Sequence, residues 1–289
     1  MGRHQDRLLE RMSQPVAARL LAERGTAVLV AGSVEQHGGH LPLGTDAFAA
    51  MSIAERVAER LGTAVVGLGH IGVAHYHLGW PGTLSLRPTT MQAVFLDVCE
   101  SLRHAGVRRV LVVNWHEGNS ATLRVAADEA QRRFGQRIVV AEAHVVTHRR
   151  HPEEMEFTHA GAMETAAVLA YEPGLVHLEA ATEPSDRAAG DAAHALFRRP
   201  DVYPVMADFH VVALTGWYGR PETADAARAE QIAEEVADHV VERAREIWDA
   251  LEHAAGEGVP AGGPDPAETG VAGVEGVAGV AGAAGTAAP

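Results

Sequence analysis

The chain has 289 residues, of which 47% are hydrophobic and 21% charged, as is typical of a globular protein rather than a disordered one. A formal net charge of -14 argues against a nucleic-acid partner, which would need a basic surface to meet the phosphates. We find neither a secretory signal at the start nor an apolar run long enough to span a membrane, and we expect a cytoplasmic protein.

Short apolar runs alternate with longer helical patterns through most of the chain. The runs predict strands, and the longer segments between and after them predict helices. Continuous apolar strands separated by helices are typical of a parallel sheet covered on both faces. The predicted strands are 26–31, 63–67, 109–114 and 137–141, and the predicted helices are 46–61, 90–104, 119–134, 160–171 and 224–253.

The composition changes after Ala254, where Gly, Ala, Val and Pro become dominant and no aromatic residue occurs. Such a segment has too little apolar side-chain area to offset the entropy that it would lose on ordering. We therefore predict one domain over residues 1–254 and a disordered tail over residues 255–289.

Glu35, His37 and Asp46 follow the first predicted strand, in a loop rich in glycine. Ligands bind at the carboxyl ends of strands in open parallel sheets, and the loop lies at such an end. The single cysteine, Cys99, excludes an internal disulfide and leaves only nitrogen and oxygen as metal ligands. Two carboxylates and an imidazole suit Zn²⁺, Mn²⁺ or Fe²⁺. A polar loop without a metal is the alternative for this motif alone.

His116 follows the third predicted strand and could reach the same centre, because neighbouring parallel strands lie only about 5 Å apart. The adjacent Glu117 invites comparison with the zincin motif. That motif needs a second histidine three residues beyond the glutamate, where this chain has Ser120. Taken alone, His116 would more often be a histidine at the start of a helix than a ligand.

His159 and Glu164 lie near the start of the fourth predicted helix, where one face could present both to a cleft. The alternative is that Glu164 is simply an acidic residue that complements the helix dipole. Upstream, Gly67 to Gly72 matches the dinucleotide-binding pattern by its letters, but no helix can follow, and we exclude NAD binding. The next segment carries Tyr76 and His77, which could form a pocket wall or packed structure.

Taken together, these segments resemble the creatininase family over roughly residues 10 to 250. The most specific motif is Glu-Gln-His-Gly-x-His-Leu-Pro-x-x-x-Asp at residues 35–46. The supporting motifs are Gly-Trp-Pro-Gly-Thr at 79–83, Asn-x-His-x-x-Asn at 114–119, His-Ala-Gly-x-x-Glu-Thr at 159–165 and Gly-Trp-Tyr-Gly-Arg-Pro at 216–221.

The resemblance implies a three-layer α/β/α fold, a homohexamer and a site for two divalent metal ions, Zn²⁺ or Mn²⁺ with Fe²⁺ as a further option. By motif position Asp46 would bridge both ions, with Glu35 and His116 on one and His37 on the other. Creatininase supplies its last carboxylate where this chain has Gly118. Relatives with the same gap use the equivalent of Glu164, whereas Glu117 would face away from the ions.

Departures from the family pattern concern the expected substrate. The commoner Asn-Gly-His-Gly-Gly-Asn is here Asn-Trp-His-Glu-Gly-Asn, which places Trp115 and Glu117 beside the site. Ala162 and Ala74 replace a frequent Glu and Ser, and we therefore do not expect activity on creatinine itself. We predict that Trp115, Glu117, His77 and Tyr76 bind the substrate.

The predicted activity is hydrolysis of a carbon–nitrogen bond in a small amide by a metal-activated water. His159, as implied by its motif position, would carry a proton to the leaving nitrogen, and Glu164 is the other predicted catalytic residue. The alternatives are a peptidase that trims a ribosomally made cofactor-precursor peptide and a non-catalytic oligomeric metal-binding protein.

Overall fold

The computed structural model describes residues 7–256, with side chains as far as residue 254. A four-stranded parallel sheet forms the centre of the fold. Its strands are β1 (Thr26–Ala31), β2 (Ala64–Gly67), β3 (Arg109–Asn114) and β4 (Arg137–Glu142), in the order β2-β1-β3-β4. The four predicted strands are therefore confirmed, and the tail predicted over residues 255–289 lies outside the residues whose side chains are described.

Eight α-helices surround the sheet within the described residues. The five predicted helices are found with ends shifted by a few residues, and three further helices, α1, α5 and α7, were not predicted. The helices are α1 (Gln14–Arg24), α2 (Thr45–Leu61), α3 (Pro88–His104), α4 (Ser120–Phe134), α5 (Ala143–Arg150), α6 (Ala162–Leu169), α7 (Arg187–Phe197) and α8 (Ala226–Gly256).

Alternate residues of the strands face two separate hydrophobic cores, as expected for a sheet buried on both sides. Val28 and Leu111 pack in the core that includes residues of α2, α6 and α8. Ala27 and Val110 pack in the core on the other face, which includes residues of α1, α3 and α4. The predicted three-layer α/β/α arrangement is thus confirmed. Among the described residues, none of the helices has the length and apolar character of a membrane span.

The strand register brings the functional loops together. Ala31 at the end of β1 is the parallel partner of Asn114 at the end of β3, which in turn pairs with Glu142 at the end of β4. The three segments that follow therefore leave the sheet at one edge. Asn114 also donates from Nδ2 to Oε2 of Glu142 at 2.7 Å, which joins two of the strand ends directly.

Candidate metal centre

Asp46 lies in the first turn of α2, with its side chain almost completely buried. Gly32, directly after β1, allows the start of α2 to approach closely. A Cβ atom at Gly32 would lie 2.5 Å from the Cα atom of Ala47, which real structures do not tolerate. The glycine therefore permits the contact between strand and helix that places Asp46 beside Glu35 and His37.

The two carboxylate oxygens of Asp46 face different imidazole rings. Oδ1 lies 3.6 Å from Nε2 of His37, and Oδ2 lies 3.1 Å from Nδ1 of His116. Oε2 of Glu35 is 3.2 Å from the same nitrogen of His116, and Oε2 of Glu164 is 3.6 Å from Nε2 of His37. Asp46 is thus common to two groups with the spacing of metal ligands: Glu35, Asp46 and His116 form one, and His37, Asp46 and Glu164 form the other.

Hydrogen bonds to backbone carbonyls orient both histidines. Nδ1 of His37 donates to the carbonyl oxygen of Glu35 at 3.1 Å, and Nε2 of His116 donates to that of Val73 at 3.0 Å. The remaining nitrogen of each ring then faces the carboxylates. Metal-binding histidines are commonly fixed in this way, by a hydrogen bond from the nitrogen that does not bind the ion.

Nε2 of His37 is buried and has no hydrogen-bond partner among the described residues. Nearly all buried polar atoms in folded proteins have such a partner, so this atom requires an explanation. A divalent cation between His37, Asp46 and Glu164 would provide its missing interaction. The donor set of imidazole and carboxylate fits such an ion, and Cys99 is buried in the core rather than in this cluster.

The carboxylates and imidazoles change one another's pKa strongly in the metal-free arrangement. Burial opposes protonation of His37, but Asp46 and Glu164 outweigh it and raise the pKa of His37 to about 10. Burial likewise opposes the charged form of His116, and Glu35 and Asp46 raise its pKa to about 9. Burial raises the pKa of Glu35 and of Glu164 to about 7. The cluster thus holds protons near neutral pH that bound cations would replace.

His159 lies beside the cluster. Its Nε2 donates to the carbonyl oxygen of Gln36 at 2.8 Å, and its Nδ1 is 3.9 Å from Oε2 of Glu164. Burial, followed by the charge of His37, holds the pKa of His159 well below its usual value. His159 also has ligand spacing with Glu35 and His37. Its position is therefore compatible with a neutral imidazole facing a substrate and with a metal ligand.

A cavity of about 420 Å³ opens from the cluster, and the four predicted substrate-binding residues, Tyr76, His77, Trp115 and Glu117, line it. Nε2 of His77 is 3.3 Å from Oε1 of Glu35. The carboxylate of Glu117 pairs with Arg198, with a distance of 2.9 Å between Oε2 and Nη2. Glu117 therefore makes its ion pair with a residue outside the two ligand groups.

Gly118 is closely surrounded. A Cβ atom there would lie 2.5 Å from Nε2 of His116 and 2.5 Å from the hydroxyl oxygen of Tyr76. The same Cβ atom would clash still more closely with the backbone carbonyl oxygen of Val73, so a carboxylate side chain does not fit at this position unless its surroundings move. Oε2 of Glu164, which also accepts from the backbone N–H of Ala160 at 2.5 Å, is the carboxylate oxygen that lies 3.6 Å from Nε2 of His37.

Sequence comparison identifies the family to which this fold and cluster belong. The profile of the creatininase family, described as creatinine amidohydrolase, matches residues 10–244. The chain belongs to this family. The predicted resemblance is therefore confirmed, and so is the prediction of a hydrolase that acts on carbon–nitrogen bonds.

Three curated relatives are similar to this chain and carry different named activities. Creatinine amidohydrolase of Pseudomonas putida is 29% identical over 249 residues, which cover 79% of this chain and 92% of the relative. The 3-dehydro-scyllo-inosose hydrolase of Thermotoga maritima is 27% identical, with coverages of 83% and 81%. The mycofactocin precursor peptide peptidase of Mycolicibacterium smegmatis is 36% identical over 101 residues, which cover 33% and 40%.

Solved creatininase structures agree with the fold. A manganese form is 25% identical with a TM-score of 0.67, and it covers 83% of this chain and 98% of its own. A mutant described as Zn-Zn type is 26% identical with the same TM-score and covers 83% and 97%. Manganese and zinc both suit the nitrogen and oxygen donors found in the cluster.

Several residues that line the cavity were not predicted from the sequence. His194 lies in α7 and Arg198 directly follows it, and we did not predict this helix. Phe157 lies in an irregular segment and Phe209 begins a short 3-10 helix, Phe209–Val211, and neither segment carries a motif. His144 could have been found. It comes two residues after β4, at the same edge of the sheet that led to Glu35 and His116.

Proposed function

We propose that this member of the creatininase family is a metal-dependent amidohydrolase that binds two divalent cations, Zn²⁺ or Mn²⁺, with Fe²⁺ as a further option. The observation that carries the proposal is the position of Asp46, whose two oxygens face the separate imidazoles of His37 and His116. A carboxylate shared between two ligand groups is what a pair of neighbouring cations requires.

In this proposal Glu35, Asp46 and His116 would hold one cation, and His37, Asp46 and Glu164 would hold the other, so that Asp46 would be shared. The assignment is supported by the two overlapping ligand groups and by the buried, unpartnered Nε2 of His37. Bound divalent cations supply Lewis acidity, which activates water and polarises an amide carbonyl.

The remaining roles fall to residues of the cavity. His159 is proposed to move a proton to the leaving nitrogen, because its Nδ1 faces Glu164 while its Nε2 is held by the carbonyl of Gln36. His77, beside Glu35, and Tyr76 and Trp115 in the cavity wall would hold the substrate near the cluster.

The proposed substrate is a small amide rather than creatinine specifically. The cavity lies within the range of about 300–1,000 Å³ that is usual for ligands of drug size. A peptidase acting on a precursor peptide is the second candidate. The relative named mycofactocin precursor peptide peptidase, with 36% identity over 101 residues, is the observation that favours it.

We further propose a homo-oligomer, with a hexamer as the form implied by family resemblance. Val205, Val211 and Leu214 are each more than half exposed, and apolar side chains of this kind are often covered by partner subunits. Light scattering of the purified full-length chain tests this proposal directly. A cytoplasmic location remains a prediction from the sequence.

Elemental analysis combined with activity measurements tests the proposed function. The purified chain should hold close to two divalent ions, lose amide hydrolysis on chelation and regain it with Zn²⁺ or Mn²⁺. Absence of bound metal together with no metal-restored hydrolysis would refute the proposal. Two bound ions without hydrolysis of any amide or peptide would indicate a non-catalytic metal-binding protein instead.

A further inference from the structure

A second polar cluster lies in the cavity wall, apart from the proposed metal ligands. Glu117 and Arg198 form a two-point ion pair, with Nη2 of Arg198 2.9 Å from Oε2 and Nε 3.3 Å from Oε1. His144 and His194 also line the cavity, and the charges of Glu117 and Arg198 act on both rings. We call Glu117, His144, His194 and Arg198 the outer cluster.

The guanidinium group of Arg198 is held in place from several sides. It lies 3.9 Å from the ring centroid of Phe157, and its Nη1 donates to the carbonyl oxygen of the same residue at 3.4 Å. The side chain is 25% exposed, so it is largely packed rather than extended into solvent. The guanidinium group is therefore preorganised, and a ligand that binds Arg198 would pay only a small entropic cost for ordering this side chain.

The outer cluster has unused hydrogen-bonding capacity. His144 is only 4% exposed, and its Nδ1 has no hydrogen-bond partner among the described residues. The bonds of Arg198 to Glu117 and Phe157 leave further N–H groups of the guanidinium free. A buried, unpartnered imidazole in the wall of a cavity indicates that a ligand group belongs there.

The charges of the outer cluster balance. Glu117 and Arg198 neutralise each other, while burial lowers the pKa of His144 to about 4 and that of His194 to about 3. A carboxylate on the ligand would be repelled by the carboxylate of Glu117, and an ammonium group would be repelled by the guanidinium of Arg198. An uncharged group with both a donor and an acceptor, such as an amide, avoids both conflicts.

Aromatic rings connect the two clusters. The ring of Phe209 has its centroid 4.8 Å from that of His159, beside the metal ligands, and 5.5 Å from that of His194 in the outer cluster. Phe157 lies under Arg198 and stacks on His144 with centroids 5.5 Å apart. The surface between the clusters is therefore apolar and aromatic, which favours a bulky apolar group over a small polar one.

We propose that the outer cluster and Phe209 select uncharged amides in which a bulky apolar group separates the scissile bond from a second hydrogen-bonding group. The inference rests on the proposed amidohydrolase function, since it places the scissile bond at the metal ligands. It narrows the substrate class from any small amide to an elongated, neutral one.

Three probes separate the features of this substrate class. N-acetyl-L-phenylalaninamide has the apolar ring and a neutral second amide, N-acetylglycinamide lacks the ring, and N-acetyl-L-phenylalanine ends in a carboxylate. Calorimetry on the full-length chain, metal-loaded and metal-stripped, measures binding, and chromatography of the products measures hydrolysis. We expect N-acetyl-L-phenylalaninamide to bind roughly ten- to a hundredfold more tightly than N-acetylglycinamide, because an aromatic side chain is buried. It should also bind more tightly than the carboxylate probe.

Variants identify the side chains that are responsible for the selectivity among the three probes. Arg198→Met should raise the KM for N-acetyl-L-phenylalaninamide about tenfold with little change in kcat, since it removes charge-assisted binding far from the scissile bond. The matched control is Arg199→Met, which removes the same charge from the adjacent exposed position and should behave as the unmodified chain. Phe209→Ala should abolish the preference for the phenyl group while leaving the metal content unchanged.

The outcomes distinguish this inference from the proposed function. Equal binding of the three probes, or equal effects of Arg198→Met and Arg199→Met, would overturn the inference even if amides are hydrolysed. Selective binding by the metal-stripped chain without hydrolysis by the metal-loaded chain would support the inference and contradict the proposed function.

Discussion

Oε2 of Glu164 lies 3.6 Å from Nε2 of His37, although the two residues come from opposite halves of the chain. If both hold the same cation, Glu164→Gln removes a negative ligand and should lower the occupancy of that cation well below one. Hydrolysis should fall by at least a hundredfold, which is the scale expected when a metal site loses its function. Elemental analysis and steady-state kinetics on the purified variant measure the two effects.

Glu117→Gln is the matched control for this prediction, because it makes the same chemical change at a carboxylate that is paired with Arg198 instead. Its metal content should stay close to that of the unmodified chain, while its substrate preference changes. If Glu117→Gln lost a cation and Glu164→Gln kept both, the assignment of Glu164 would be wrong.

Asp46 should be the residue on which both cations depend. Asp46→Ala removes the carboxylate that faces His37 on one side and His116 on the other, and it should reduce bound metal from about two ions to almost none. His37→Ala affects only one ligand group and should leave about one ion. Equal metal loss in the two variants would argue against a bridging carboxylate.

Metal binding should release protons and strengthen as the pH rises. The raised pKa values of His37, about 10, and His116, about 9, mean that both rings are protonated at neutral pH in the metal-free chain. A metal ligand must be unprotonated, so each cation displaces protons, and the apparent affinity should increase from about pH 6 to about pH 8. Calorimetry in buffers of different ionisation enthalpy counts the protons. An affinity independent of pH would contradict the protonated state of the two rings.

Gly32→Ala should destabilise the fold and disturb the cluster together. The added methyl group would lie 2.5 Å from the backbone of Ala47 and force α2 away from β1, at a cost of about 1–3 kcal/mol in the free energy of unfolding. Chemical denaturation and metal content measure the two consequences. Gly174→Ala is the control, since a Cβ atom at Gly174 meets nothing within 4 Å. An unfolding free energy equal to that of this control would show that the close approach is not needed.

The strands, and the positions of the residues that gather beside them, could be predicted from the sequence because both depend on local patterns. Continuous apolar runs identify the four parallel strands, and polar residues directly after β1 and β3 identify Glu35, His37 and His116. The strand register then brings these residues together without further information, since Ala31 and Asn114 are direct partners.

The contribution of α7 to the cavity, His194 and Arg198, could not be predicted because it depends on contacts between distant segments. Gly190 lies inside α7, where a glycine weakens the local preference for a helix. A Cβ atom there would lie 2.9 Å from the ring of Tyr218, so packing between distant segments accounts for the glycine. Helix α5 was also not predicted. It begins directly after β4, whereas a loop separates α2, α3 and α4 from the strands before them, so no loop in the sequence marks its start.

The proposed ligands are distributed along the chain, with Glu35 and Asp46 near the beginning, His116 after β3 and Glu164 in α6. An unfolded chain would not hold these groups together, so cations that bind the cluster would favour the folded state. For each independent cation the stabilisation grows as RT ln(1 + [L]/Kd), about 2.7 kcal/mol at a hundredfold excess over Kd. The supply of metal in the cell would then control how long each molecule survives proteolysis, in addition to whether it is active.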